Sequence, residues 1–119
     1  MARATILFAH GSRDPLWNQP MEAVARHMRS LDPTARVQCA YLELTQPDLP
    51  SAVRGCVAEG CDEIVVVPMF LGVGRHARQD LPALVAELTQ ALPDVHIWLR
   101  PSVGEDARLV DLLARMALG

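Results

Sequence analysis

Glu63-Ile64-Val65-Val66-Val67-Pro68-Met69 is the stretch on which the fold turns. Four consecutive β-branched residues, Ile64 to Val67, favour extended backbone. No polar residue alternates with them, so this strand is buried on both faces and belongs at the centre of a parallel sheet. Pro68 has no N–H to give a ladder, and regular pairing is expected to fray there.

Working outward, three more short apolar runs read as strands: residues 4–9, 36–42 and 95–100. Helical patterns separate them. Met21, Val24, Ala25, Met28 and Leu31 recur at helical spacing after Pro20, with Asn18 or Gln19 as cap and Asp32-Pro33 as the stop. Asp48 reads as the N-cap of a second helix, with Pro50 in its first turn and Gly60 beyond its end. Asp80-Leu81-Pro82 is expected to open a third helix. A last helix carries Leu109, Leu112, Leu113 and Met116. Four alternations of strand and helix predict an α/β fold: a doubly wound, four-stranded parallel sheet with helices on both faces, in one domain over residues 1–119.

Composition narrows the function. With 119 residues, half of them hydrophobic, the chain can build a core, but its small size makes oligomerisation plausible. A formal net charge of -3 with no long run of one sign argues against a dedicated nucleic-acid binder. No apolar run approaches the ~20 residues that span a bilayer, and the apolar start is too short for a secretory signal. A cytoplasmic protein is expected. Cys39, Cys56 and Cys61 form no pairable set and no C-x-x-C, so they read as reduced, buried thiols.

In a doubly wound sheet, ligands bind beyond the carboxyl ends of the strands. Those ends carry the residues with chemistry. Phe8-Ala9-His10-Gly11-Ser12-Arg13 closes the first strand; Gly11 permits a sharp turn, and Ser12 and Arg13 can donate to an anion. Glu43 ends the second strand, where a carboxylate can orient an imidazole or relay protons. Phe70-Leu71-Gly72-Val73-Gly74-Arg75-His76 follows the third strand. An apolar loop in that position is suited to flooring a pocket for a flat ligand. Arg13, Arg75 and Arg78 read either as a solvated face or as contacts for a polyanion. His27 is expected at the surface, and His96, at the start of the last strand, far from this edge. Two imidazoles at one mouth suggest a metal or a proton.

Taken together, Phe8-Ala9-His10-Gly11-Ser12-Arg13, the Pro47-Asp48/Pro50 helix start, Val67-Pro68-Met69-Phe70-Leu71-Gly72-Val73-Gly74-Arg75-His76 and Asp80-Leu81-Pro82 resemble the sirohydrochlorin chelatase family of CbiX/SirB type, which are class II chelatases. The resemblance runs over roughly residues 3–115. It implies insertion of a divalent metal, Co2+ or Fe2+ and in some relatives Ni2+, into sirohydrochlorin for cobalamin or sirohaem synthesis. It also implies catalytic and metal-handling roles for His10 and His76, an assisting role for Glu43, and a tetrapyrrole site built from Ser12, Arg13, Phe70, Leu71, Gly72, Val73, Gly74 and Arg75. The metal is then a substrate, and no permanently bound cofactor is called for. Long members hold two such lobes in one chain; this chain resembles the short form, which assembles as a homodimer. It lacks the histidine-rich stretch and the C-terminal cluster-binding cysteines of some members, so storage and redox roles are not implied.

Two rivals compete. One is a non-catalytic tetrapyrrole or metal carrier using the same pocket. The other is a histidine phosphatase, but such enzymes place Arg directly before the nucleophilic His, where this chain has Ala9, and Arg75-His76 lacks a following glycine.

Overall fold

Four strands, β1 (Ala2–Ala9), β2 (Arg36–Tyr41), β3 (Cys61–Pro68) and β4 (His96–Leu99), lie parallel in the order β2-β1-β3-β4. The computed structural model describes residues 2–119, apart from the side chain of His76. Four helices join and follow the strands: α1 (Gln19–Leu31), α2 (Leu49–Ala58), α3 (Arg75–Ala91) and α4 (Ala107–Leu118). Short 3-10 turns at Pro15–Asn18 and Val103–Glu105 precede α1 and α4. Among the described residues no helix is long and apolar enough to cross a membrane.

The central strands do what their sequence dictates. Ile6, Ile64 and Val66 are fully buried and, with Ala4 and Phe8, face α2 and α3. On the opposite side Leu7 and Ala9 meet Met21 and Ala25 of α1 together with Cys39 and Tyr41 of β2. Asp48 caps α2 by accepting the Ser51 N–H at 2.9 Å. Hydrogen bonding from the Ser51 side chain, and then from its backbone N–H, holds the Asp48 carboxyl below the usual carboxylate range.

Three elements depart from expectation. Pro68 does not fray the sheet: the ladder continues, with Met69 N–H bonded to the Phe8 carbonyl at 2.8 Å. Successive N–H groups on a strand point to opposite neighbours. The donor that Pro68 lacks would therefore point toward β4, which has ended at Leu99. Next, α3 begins at Arg75 rather than at Asp80, so Pro82 lies inside it and His76 is its second residue. Pro82 removes only the bond to the Arg78 carbonyl. Finally, α4 does not return to the sheet: no residue of it is buried, and its principal contacts are with the 3-10 turn before it.

Candidate active site

The strand order reverses direction between β1 and β3, because β2 lies on one side of β1 and β3–β4 on the other. Ligand sites of open α/β sheets occur at such a switch point. His10 and Phe70 meet at this edge, with ring centroids 4.6 Å apart and planes tilted by 50°. Phe70 is buried and in turn stands edge-on to Phe8 at 6.1 Å. The exposed imidazole thus rests on a two-ring pillar rooted in the core.

The backbone brings Glu43 to the same place. The β1–β2 ladder runs past both strand ends: Leu42 N–H bonds the Ala9 carbonyl at 2.8 Å and Glu43 N–H bonds the His10 carbonyl at 3.0 Å. Gly11 makes this closeness possible. Its φ is +93°, and a Cβ there would run into the Glu43 carbonyl oxygen. The next residues are stitched as firmly. Thr45 Oγ1 accepts the Ser12 N–H at 3.1 Å and donates to the Ser12 carbonyl at 2.6 Å. Ser12 Oγ accepts the Asp14 N–H, and Asp14 caps the following 3-10 turn. The hydroxyl of Ser12 therefore shapes its own loop.

Leu44 is strained between these anchors. Thr45 N–H bonds the Glu43 carbonyl at 2.8 Å, closing a three-residue turn on Leu44, whose φ is +64°. A bulky residue rarely adopts that conformation. The turn holds its side chain 55% exposed. Leu42, Leu71, Leu16 and Trp17 are also exposed on segments that leave the carboxyl ends of β2, β3 and β1. Exposed apolar side chains thus occur on all three segments that leave this edge, and clustered exposed apolar surface is where apolar ligands bind.

The loop after β3 is held at one point. The Phe70 carbonyl accepts both Ser102 Oγ and Gly104 N–H, and Ser102 is buried. Gly104 packs so closely on Leu71 that a Cβ would collide with the Leu71 carbonyl. Beyond this clamp, Gly72 and Gly74 have open space around them. A pocket of about 360 Å³ opens beside the loop, lined largely by Phe70, Leu71, Val73, Leu81, Pro82 and Leu99. Arg13, Arg75 and Arg78 are exposed, and none forms a salt bridge among the described residues.

His10, Ser12, Arg13, Glu43 and the 70–75 segment thus all lie on the carboxyl side of the sheet. The side chain of His76 lies outside the described residues. Among the described residues no three His, Cys, Asp or Glu side chains gather closely enough to hold a metal ion. The cysteines are all free and buried. Burial pushes the Cys39 and Cys56 thiols up to about 11, so both stay protonated near neutrality. Sequence reasoning missed Leu44, Thr45, Ser102 and Gly104. The pairing of Ser12 with Thr45 leaves no mark in sequence spacing, but Ser102-x-x-Glu105 is a legible capping box and forms as one.

Known proteins share this architecture. The family described as CbiX matches residues 4–117. A sirohydrochlorin cobaltochelatase of Methanopyrus kandleri is 35% identical over 82 residues, which are 69% of this chain and 57% of that protein. A crystal structure described as a putative cobalamin biosynthesis CbiX protein from Marinobacter aquaeolei superposes with a TM-score of 0.83 at 33% identity, over 98% of this chain and 94% of that one. The sirohydrochlorin chelatase SirB from Bacillus subtilis subspecies spizizenii, solved with cobalt, gives a TM-score of 0.80 at 27% identity, over 98% of this chain but only 50% of its own.

Proposed function

The chain belongs to the CbiX family, and from that premise we propose that it is a chelatase inserting a divalent metal, Co2+ or Fe2+, into sirohydrochlorin. The observation that carries this reading is the seating of His10 against Phe70 at the switch point of the sheet, with exposed apolar side chains on the segments leaving the same edge. A flat macrocycle needs an apolar bed, and a metal entering it needs a nitrogen donor that lets go again.

Insertion replaces the water on the metal with four ring nitrogens and releases two pyrrole protons. Neutral imidazole binds Co2+ and Fe2+ without the grip of a thiolate. Imidazole nitrogen is also a general base, so the same group can accept a pyrrole proton once the metal has moved on. His10 takes the first role and shares the second with His76. Glu43, held beside His10 through the backbone, balances the charge of the incoming ion and relays the released protons. Phe70, Leu71 and the Gly72-Val73-Gly74 turn bed the ring face. Ser12 N–H is bound to Thr45, which leaves Arg13 and Arg75 as the better contacts for ring carboxylates, with Arg78 beside them. The single chelatase-like domain works in the cytoplasm as a pair of identical chains. Its span of half the SirB chain supports that pairing.

An anaerobic absorbance time course with sirohydrochlorin and Co2+, Fe2+ or Ni2+ tests the proposal. Many turnovers per chain, well above the uncatalysed rate, are expected with Co2+ or Fe2+. A spectral change that saturates at one equivalent of protein would identify a carrier instead.

A further inference from the structure

Leu44 is held in a costly conformation and gains no burial from it. Its φ of +64° lies in the left-handed region that bulky residues avoid. Strain of this kind persists only where the surroundings impose it. Here they do so from both ends. The Leu42 and Glu43 N–H groups are bonded to the Ala9 and His10 carbonyls, and Thr45 Oγ1 is bonded to both backbone groups of Ser12. The chain must turn within Glu43, Leu44 and Thr45 to keep both sets of bonds, and the Thr45 N–H closes that turn on the Glu43 carbonyl. A glycine would make the turn without strain. The chain carries a leucine, and among the described residues it packs with neither hydrophobic cluster of the core.

Topology shows what stands nearby. The order β2-β1-β3 sets the ends of β2 and β3 on either side of the end of β1. Leu44 follows β2, Leu71 follows β3, and His10 closes β1 between them. Leu71 is 70% exposed and, like Leu44, belongs to neither core cluster. Neighbouring strands lie about 4.8 Å apart, so the two outer segments start roughly 10 Å apart. A tetrapyrrole core centred over His10 spans that separation. Both leucines are thus apolar, exposed and set on the two flanks of the proposed metal donor.

We propose that Leu44 is a tetrapyrrole contact, held out of the core by its strained turn so that it packs on the macrocycle on the β2 side of His10, opposite Leu71. This rests on the sirohydrochlorin reading above and adds to it a residue that sets affinity for the ring. Backbone strain is tolerated at binding sites where a side chain must be presented in one position. An apolar contact with the ring is made equally before and during insertion, so its loss raises KM and leaves kcat in place. The other apolar surface that could cover Leu44 is a second copy of this chain, and that alternative changes mass rather than ring affinity.

Leu44→Gly separates the strain from the contact. It relaxes the turn and removes the side chain together, so the melting temperature should stand at or above that of the wild type. The dissociation constant for metal-free sirohydrochlorin, read by absorbance titration of the full chain, should rise about tenfold. Turnover at saturating ring should stay within about twofold. Leu44→Met keeps an apolar side chain of similar volume and should bind the ring nearly as the wild type does. An unchanged dissociation constant for Leu44→Gly would overturn the proposal. So would a melting temperature lower by more than about 4 °C, which would show that the side chain packs on its own chain. A fall in sedimenting mass would overturn it too, assigning Leu44 to a contact between copies. A wild type that binds the ring without turning it over would end the chelatase reading and leave the Leu44 assignment standing; a wild type that binds no ring would overturn both.

Discussion

Two loops meet at the carboxyl edge, and they are built in opposite ways. The loop after β1 is stitched along its length: Gly11 against the Glu43 backbone, Ser12 to Thr45 on both backbone groups, Asp14 into the next turn. The loop after β3 is hydrogen-bonded at one point, the Phe70 carbonyl, and beyond it Val73 packs on the core between glycines with open space around them. The first fixes the position of His10, the proposed metal donor. The second has room to adjust. On the proposed function, preorganisation is concentrated at the metal donor, and slack is left where the ring would enter.

The contrast can be broken by substitution. The largest effect falls on His10→Ala, which should slow metalation by about 10²- to 10⁴-fold, measured as kcat/KM in the absorbance assay, while leaving the melting temperature near that of the wild type. Gly11→Ala comes next. It forces a Cβ into the Glu43 carbonyl at a positive φ, so a denaturant melt should show a loss of about 3 kcal/mol together with most of the activity. Gly104→Ala strikes the single clamp of the other loop. It should cost about 1–3 kcal/mol and raise KM for the tetrapyrrole more than it lowers kcat. Thr45→Val removes both ties to Ser12 and should cost about 1–2 kcal/mol in the same melt. Smallest of all is Gly72→Ala. Open space around it predicts a stability change within about 0.5 kcal/mol. A large loss there would show that the second loop is as tightly set as the first.

Much of the frame is legible in the residues themselves. The run from Ile64 to Val67 marks a buried central strand, and Asp48 marks a helix start, because in both cases the deciding interactions are local. His10 and Glu43 are legible as strand-end residues, but their adjacency depends on β1 and β2 pairing in one register, which no spacing encodes. Thr45 and Gly104 read only as loop residues. Their partners are 33 residues away in Ser12 and 33 in Leu71, and the contacts are with backbone, which carries no residue-type signature. The start of α3 lies five residues ahead of its apparent signal, since Asp80-Leu81-Pro82 looks like a helix opening even when a helix is already under way. For α4, periodicity reveals an apolar side but cannot show that the segment before it is pinned away from its own sheet.

The most direct test of the account is a rapid-mixing, single-turnover measurement of Co2+ insertion into sirohydrochlorin by the wild type and by His10→Ala, at matched protein concentration and with both proteins shown to be folded. At least a hundredfold slower insertion by the variant, with the ring still bound, is the predicted result. Insertion at the wild-type rate would contradict it, and would move the metal donor away from the stitched loop altogether.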